Sequence, residues 1–169
     1  KPTRILLKID FNINIYEMNK KGVRLTTSNI ETSKSSQPGI KNLNRLENVL
    51  ARKGLGNNFF DAIMIDNNGN ICDCARSSLF VRYGSTLYTA SNRSFGIHGV
   101  TKKIISENVK KLNLRIDYSA LTPIQLEKAD EVIVSNSIVG ALQVIGFKNS
   151  KWEKGTLANK ITNLLNEAN

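Results

Sequence analysis

Several stretches of this 169-residue chain carry residue types that could do chemistry. Lys41 follows Pro38-Gly39-Ile40 and stands just before a helical pattern, so the helix would hold a loop-end amine in place. Burial lowers the pKa of such an amine, and its neutral form attacks an aldehyde. Most lysines in a lysine-rich chain are simply solvated, and type alone does not set Lys41 apart. Asp73 sits inside an apolar run between Cys72 and Cys74. A carboxylate within a strand costs free energy unless it is paired. A protonated pyridine-type nitrogen is one such partner; an outward-facing acid is the bland alternative. Gly99-Val100-Thr101 opens a helical pattern, and backbone N–H groups at a helix start suit a phosphate. A helix with nothing bound at its start reads the same way. Ser135-Asn136-Ser137 ends a strand-like run, where small polar residues donate to anions or simply form turns.

The elements that must position these residues follow from hydrophobic period and turn chemistry. Residues 4–16, RILLKIDFNINIY, alternate from Leu7 onward and predict a strand. Asn19-Lys20-Lys21-Gly22 predicts a turn into a second strand, Val23 to Ser28, as a hairpin or neighbouring pair. Pro38-Gly39 marks a loop. Leu43, Leu46, Glu47, Val49, Leu50 and Leu55 have helical spacing, with Gly54 and Gly56 near the stop. Phe60 to Ile65, the Asn67–Asn70 turn and Ile71 to Arg82 predict a hairpin, because Asn-Gly supplies the positive φ the turn needs. Gly84 turns into Thr86 to Thr89, extending a meander. A helix from the Gly99-Val100-Thr101 start to Leu112, a strand Leu114 to Tyr118 and a short helix capped at Thr122-Pro123 follow. Two strands, Asp130 to Ser135 and Gly140 to Phe147, precede a closing amphipathic helix, Thr156 to Ala168. Antiparallel strands mixed with a few helices predict an α+β domain.

Composition narrows the classes. The chain is 40% hydrophobic and 22% charged, within the ordinary globular range. It has neither a signal-peptide pattern nor a membrane-length apolar run. The net charge of +10 is dispersed, with short pairs at Lys20-Lys21, Lys102-Lys103 and Lys110-Lys111. A nucleic-acid surface would concentrate basic residues among aromatics, so no nucleic-acid partner and no membrane partner is expected. Cys72 and Cys74 are too close on one strand to bridge, and they read as reduced thiols of a cytoplasmic protein with no metal site. GIHGVTKK lacks the order of a P-loop, because its Thr precedes the lysines. His98, the single histidine, reads as a loop or cap residue, and Trp152 as packing for the closing helix.

Taken in order, PTRILL (2–7), PGIKNLNRLENVL (38–50), CDCARSSLF (72–80), LYTAS (87–91), GIHGVTKK (96–103) and ADEVIVSNS (129–137) resemble the second domain of the fold-type-IV pyridoxal-phosphate (PLP) enzymes. That family contains branched-chain and D-amino-acid aminotransferases and aminodeoxychorismate lyases. The resemblance covers nearly the whole chain and leans to the lyases through GIKNLNRLE. It implies a mixed, mostly antiparallel sheet curled as a pseudo-barrel with flanking helices. It implies pyridoxal 5'-phosphate as cofactor, Lys41 as the Schiff-base lysine, and Asp73 facing the ring nitrogen where the family usually has Glu. It implies phosphate contacts from Val100 and Thr101 and from Asn136 and Ser137, the last pair standing where aminotransferases have Gly-Thr. Arg45 matches a family residue with no firm role. A small-molecule substrate, aminodeoxychorismate, and a homodimer are implied as well. Residues 1–169 would then be the cofactor-binding domain, and the family's N-terminal α/β domain would lie outside them.

Overall fold

The structure, a computed structural model, describes residues 3–8 and 14–168. Residues 3–8 are exposed and lie in neither helix nor strand. The strand expected over 4–16 is therefore absent from its described part, and residues 9–13 lie outside the described residues. Its last residues start a helix instead, α1 (Ile15–Lys21). Asn14 caps that helix by accepting the Glu17 N–H at 3.0 Å, and Glu17 pairs with Lys21 one turn on. Ile15 and Met18, three apart, pack on the core. An alternation that included Ile15 read as a strand concealed this helical spacing. The expected turn at Asn19–Gly22 is the end of the helix: the Gly22 N–H donates to Met18 O at 2.8 Å. Gly22 has φ +75, and a Cβ there would meet Ile145 Cγ2 at 2.4 Å. Glycine alone fits.

Nine strands form one sheet among the described residues. They are β1 (Val23–Glu31), β2 (Asp61–Ile65), β3 (Ile71–Cys74), β4 (Ser78–Tyr83), β5 (Thr86–Tyr88), β6 (Arg115–Asp117), β7 (Glu131–Asn136), β8 (Gly140–Phe147) and β9 (Ser150–Lys151). Their order is β3-β2-β1-β8-β7-β4-β5-β6, with β9 on β8. No hairpin joins β1 to the chain before it; β1 runs parallel between β2 and β8. β5 and β6 are also parallel, and the other pairs are antiparallel.

The expected long strand from Ile71 to Arg82 is broken at Ala75–Ser77. β3 therefore stands first in the sheet order and β4 sixth. In a flat sheet those places lie about 24 Å apart, at about 4.8 Å per strand. The chain from Cys74 to Ser78 can span only about 14 Å fully extended. The sheet must curl, and it does: the Cys74 N–H donates to Ser77 O across the break. Buried Asp61 on β2 fixes that break, accepting the Arg76 N–H at 3.2 Å and the Ser77 hydroxyl at 2.5 Å.

The curl has two buried faces. Leu79 and Val81, Val132 and Val134, and Leu142 and Val144 point inward with Leu25, Ile63 and Phe147. Their neighbours Phe80, Ile133 and Ala141 point outward against α3 (Val100–Asn108) and α5 (Leu157–Glu167). Burial on both sides explains the continuous apolar runs of these strands. A short 3-10 turn, Val109–Leu112, extends α3. α4 (Pro123–Leu126) has a capping box: Thr122 and Gln125 each satisfy the other's backbone N–H. Trp152 packs on the inner core rather than with α5, its indole N–H donating to Ala129 O at 2.7 Å. α2 (Leu46–Lys53) buries only Ala51, while Leu46, Val49 and Leu50 are exposed. No helix among the described residues is long and apolar enough to cross a membrane.

Two substitutions separate these contributions. Phe147→Ala empties a fully buried site, and its urea-unfolding free energy is expected to fall by about 3–5 kcal/mol. Thr122→Ala removes only the α4 cap and is expected to cost about 1 kcal/mol in the same measurement.

Candidate functional site

A register irregularity aims the acid. Met64 pairs with Asp73 but Ile65 pairs with Ile71, so Cys72 is a bulge in β3. Regular alternation would put Asp73 on the side of Ile71, inside the curl. The bulge turns it to the side of Met64, Ala62 and Ala51 instead. There it is 7% exposed. Its Oδ1 accepts the Leu79 N–H at 2.7 Å; its Oδ2 accepts from Asn92 Nδ2 at 3.3 Å and from the Ser78 hydroxyl at 3.5 Å. Lys102 Nζ lies 3.7 Å from the same Oδ2. Burial pushes the Asp73 carboxyl up from its ordinary value, and the Lys102 ammonium pulls it back. Burial likewise pushes Lys102 down against the pull of Asp73.

A second set of contacts joins the lysine loop to the helix start. The Gly39 N–H donates to Gly96 O at 3.1 Å, and the His98 N–H returns to Gly39 O at 2.9 Å. Gly39 and Ile97 thus form a bridge, two residues before Lys41 and three before Val100. Gly39 has φ +82, and a Cβ there would collide with the His98 ring. The sole histidine thus lies on the lysine loop and packs it. Lys41 itself is exposed, so the burial expected for its amine is not provided by the described residues. Val100 is exposed at the helix tip, and Thr101 is buried one residue on. No side chain caps α3 at Gly99, so the N–H groups of its first turn have no partner within the helix. A Cβ at Gly99 would meet Ser78 Oγ at 3.0 Å, which sets the tip directly on the shell of Asp73.

The loop that carries Lys41, the start of α3 at Val100 and Thr101, and Asp73 are therefore linked through one connected set of contacts. Arg45 joins them, its guanidinium donating to Ala75 O at 3.4 Å within the field of Asp73. The Asn48 amide donates to the same carbonyl at 3.0 Å. Asn136 is engaged in a turn: its Oδ1 accepts the N–H groups of Ile138 and Val139, and its Nδ2 reaches Arg76 O at 3.5 Å. Ser137 is exposed in that turn. Cys72 and Cys74 are free and buried, and burial beside carboxylates raises both thiols, Cys72 to about 12. Neither is a nucleophile near neutral pH.

Sequence reasoning missed Lys102, Asn92 and Ser78. Lys102 had a usable signal. It stands three and seven residues before Ile105 and Val109, both buried, so it lies on the apolar face of its helix. Asn92 and Ser78 carried none. A cavity of about 530 Å³ lined by Glu31–Lys34, Asn67, Asn68, Ser94 and Phe95 touches none of the expected site residues. A smaller one of about 170 Å³ is lined in part by Cys72 and Asn92.

Comparison with known proteins fits this geometry. The amino-transferase class IV family model matches residues 2–146. The chain is 26% identical over 150 residues to the aminodeoxychorismate lyase of Vibrio harveyi, covering 86% of this chain and 55% of that protein. It is 26% identical over 125 residues to a probable branched-chain-amino-acid aminotransferase of Thermotoga maritima, covering 73% and 45%. The crystal structure of 4-amino-4-deoxychorismate lyase from Pseudomonas aeruginosa matches with a TM-score of 0.83 at 27% identity, over 89% of this chain and 57% of that one. The chain spans about half the length of the relatives it matches. The curled mixed sheet is that of the fold-type-IV enzymes. With the family match running from the first residues through β8, this chain belongs to the amino-transferase class IV family.

Proposed function

We propose that residues 1–169 are the cofactor-binding domain of a PLP enzyme that cleaves 4-amino-4-deoxychorismate to 4-aminobenzoate and pyruvate. The bridge between Gly39 and Ile97 carries this reading, because it ties the Lys41 loop to the start of α3. The residues suit PLP in three respects. The uncapped start of α3 offers N–H donors to a phosphate. Lys41 presents an exposed primary amine on the loop tied to that start. Asp73 is a buried acid in the same connected set of contacts. Bound there, PLP would supply an electron sink.

The roles of the protein residues follow. The N–H groups of Val100 and Thr101 hold the phosphate, with Asn136 and Ser137 as the second phosphate loop. Asp73 holds a proton on the ring nitrogen. Lys41 Nζ, once freed, accepts a proton from the substrate as general base. Exposure of Lys41, Val100, Ile40 and Leu43 supports a pocket completed by protein outside these residues, in a homodimer. Relatives at equal identity include an aminotransferase. Branched-chain or D-amino-acid transamination on the same site is thus the second reading, and GIKNLNRLE favours the lyase.

Three experiments test this. Borohydride reduction of the PLP-loaded full-length protein, followed by peptide mapping, is expected to label Lys41 and to label nothing in Lys41→Ala. A label on another lysine removes Lys41 from its role. Given aminodeoxychorismate without a keto-acid acceptor, the protein is expected to release pyruvate and 4-aminobenzoate. Conversion of the cofactor by an amino acid alone, with no pyruvate from aminodeoxychorismate, selects the aminotransferase. Asp73→Asn is expected to retain the cofactor while lowering kcat by about 10²–10³-fold; unchanged kcat would take Asp73 out of the site.

A further inference from the structure

We infer that Lys102 is a positioning residue: a built-in counter-cation that, bridged by Asn92, keeps the Asp73 carboxylate ionised and oriented toward the ring nitrogen. The inference rests on the proposed cofactor site for its purpose but not for its geometry. Lys102, Asp73 and Asn92 are all buried, at 5%, 7% and 4% exposure. Lys102 Nζ donates to Asn92 Oδ1 at 2.5 Å, while Asn92 Nδ2 donates to Asp73 Oδ2 at 3.3 Å. This settles the orientation of the Asn92 amide, because an ammonium can only donate and a carboxylate can only accept. Asn92 holds a left-handed backbone, φ 55, to make both bonds. Gly96 closes over it so tightly that a Cβ would meet Asn92 Nδ2 at 2.4 Å.

The reason for such a cluster is electrostatic. A carboxylate buried alone takes up a proton, and a neutral carboxyl has no charge with which to hold a proton on a ring nitrogen. The charged and titratable groups that face Asp73 are few. Lys102 comes from α3 and Arg45 from the start of α2, and the protonated thiols of Cys72 and Cys74 stand next to it along its own strand. Arg45 is half-buried and bonded to Ala75 O. Lys102 is the cation in direct contact with both the acid and its bridging amide.

The sign of the effect is fixed. An opposite charge within about 4–6 Å favours ionised Asp and lowers its pKa by about 1–3 units. Removing Lys102 must then raise the pH at which Asp73 loses its proton. The test is an infrared pH titration of cofactor-free, full-length protein labelled with [4-¹³C]aspartate, the Asp73 band being identified by its loss in Asp73→Asn. In Lys102→Met the midpoint is expected to rise by about one pH unit or more, a tenfold change in proton concentration, and in Lys102→Arg to return toward wild type. An unmoved midpoint in Lys102→Met, or no return in Lys102→Arg, overturns the inference.

Should Lys102→Met not fold, the coupling is read from the other side. Asp73→Asn is expected to lower the midpoint of the Lys102 ¹³Cε resonance, because coupling between two titrating sites is reciprocal; an unchanged midpoint overturns the inference equally. Neither measurement uses the cofactor. Failure of Lys41 to be labelled leaves them standing, and a null titration with Lys41 labelled normally counts against Lys102 alone.

Discussion

The bond from the Leu79 N–H to Asp73 Oδ1 joins β4 to β3, strands that stand five places apart in a single sheet. It can form only because Ala75–Ser77 is too short to cross a flat sheet. The curl, the enclosed inner core and the meeting of Asp73 with α3 all follow from that short connection. Asp61 fixes the connection at its root by accepting from both Arg76 and Ser77. The burial raises the Asp61 carboxyl from its ordinary value, and the bonds from Ser77 and the backbone lower it again. A buried acid is thus spent on shaping a three-residue loop rather than on chemistry. The two buried strand acids thus differ in use: Asp61 on β2 holds the break, and Asp73 on β3 belongs to the candidate site.

Much of this was legible in the residues. Strands with one clear turn at each end, such as β2, β7 and β8, follow directly from their apolar runs, and α4 follows from Thr122-Pro123. The failures have physical causes. The alternation from Leu7 ran on into Ile15, a residue that a capped helix uses together with Met18 three positions on, and the Asn14 cap decides between them. The run from Ile71 to Arg82 looks continuous because both halves are buried on two faces. Nothing local announces that residues 75–77 leave one ladder and enter another. Parallel pairing of β1 was invisible for the same reason, since its partners β2 and β8 come from distant parts of the chain.

The site was legible where its residues are local and opaque where they are tertiary. Lys41 and Val100-Thr101 are marked by the glycines and the helix starts beside them. Asp73 was marked by its apolar neighbours, but the bulge at Cys72 that turns it out of the core was not. Lys102 read as half of a solvated basic pair. Its neighbour Lys103 is such a residue, pairing with Glu107 at the surface. One step along the helix, about 100° of rotation, separates a solvated lysine from a buried one.

The two ends of the candidate site are built to different rules, and the roles proposed for them account for the difference. At the Lys41 end, Ile40, Leu43 and Val100 are exposed, and the loop is tied down on either side of the lysine, by backbone bonds at Ser35 and Gly39 before it and by Arg45 after it. The role proposed for Lys41 requires an amine that can move, and an exposed side chain between those ties permits it. At the Asp73 end the carboxylate, the amide and the ammonium are buried together and in contact with one another. Fixed charges act most strongly where water is excluded and no reorganisation is needed. A buried ion pair is a poor source of stability, because desolvation offsets most of its attraction. Its place beneath a helix tip that offers donors to an anion fits the control of a proton inferred for Lys102 better than it fits stability of the fold.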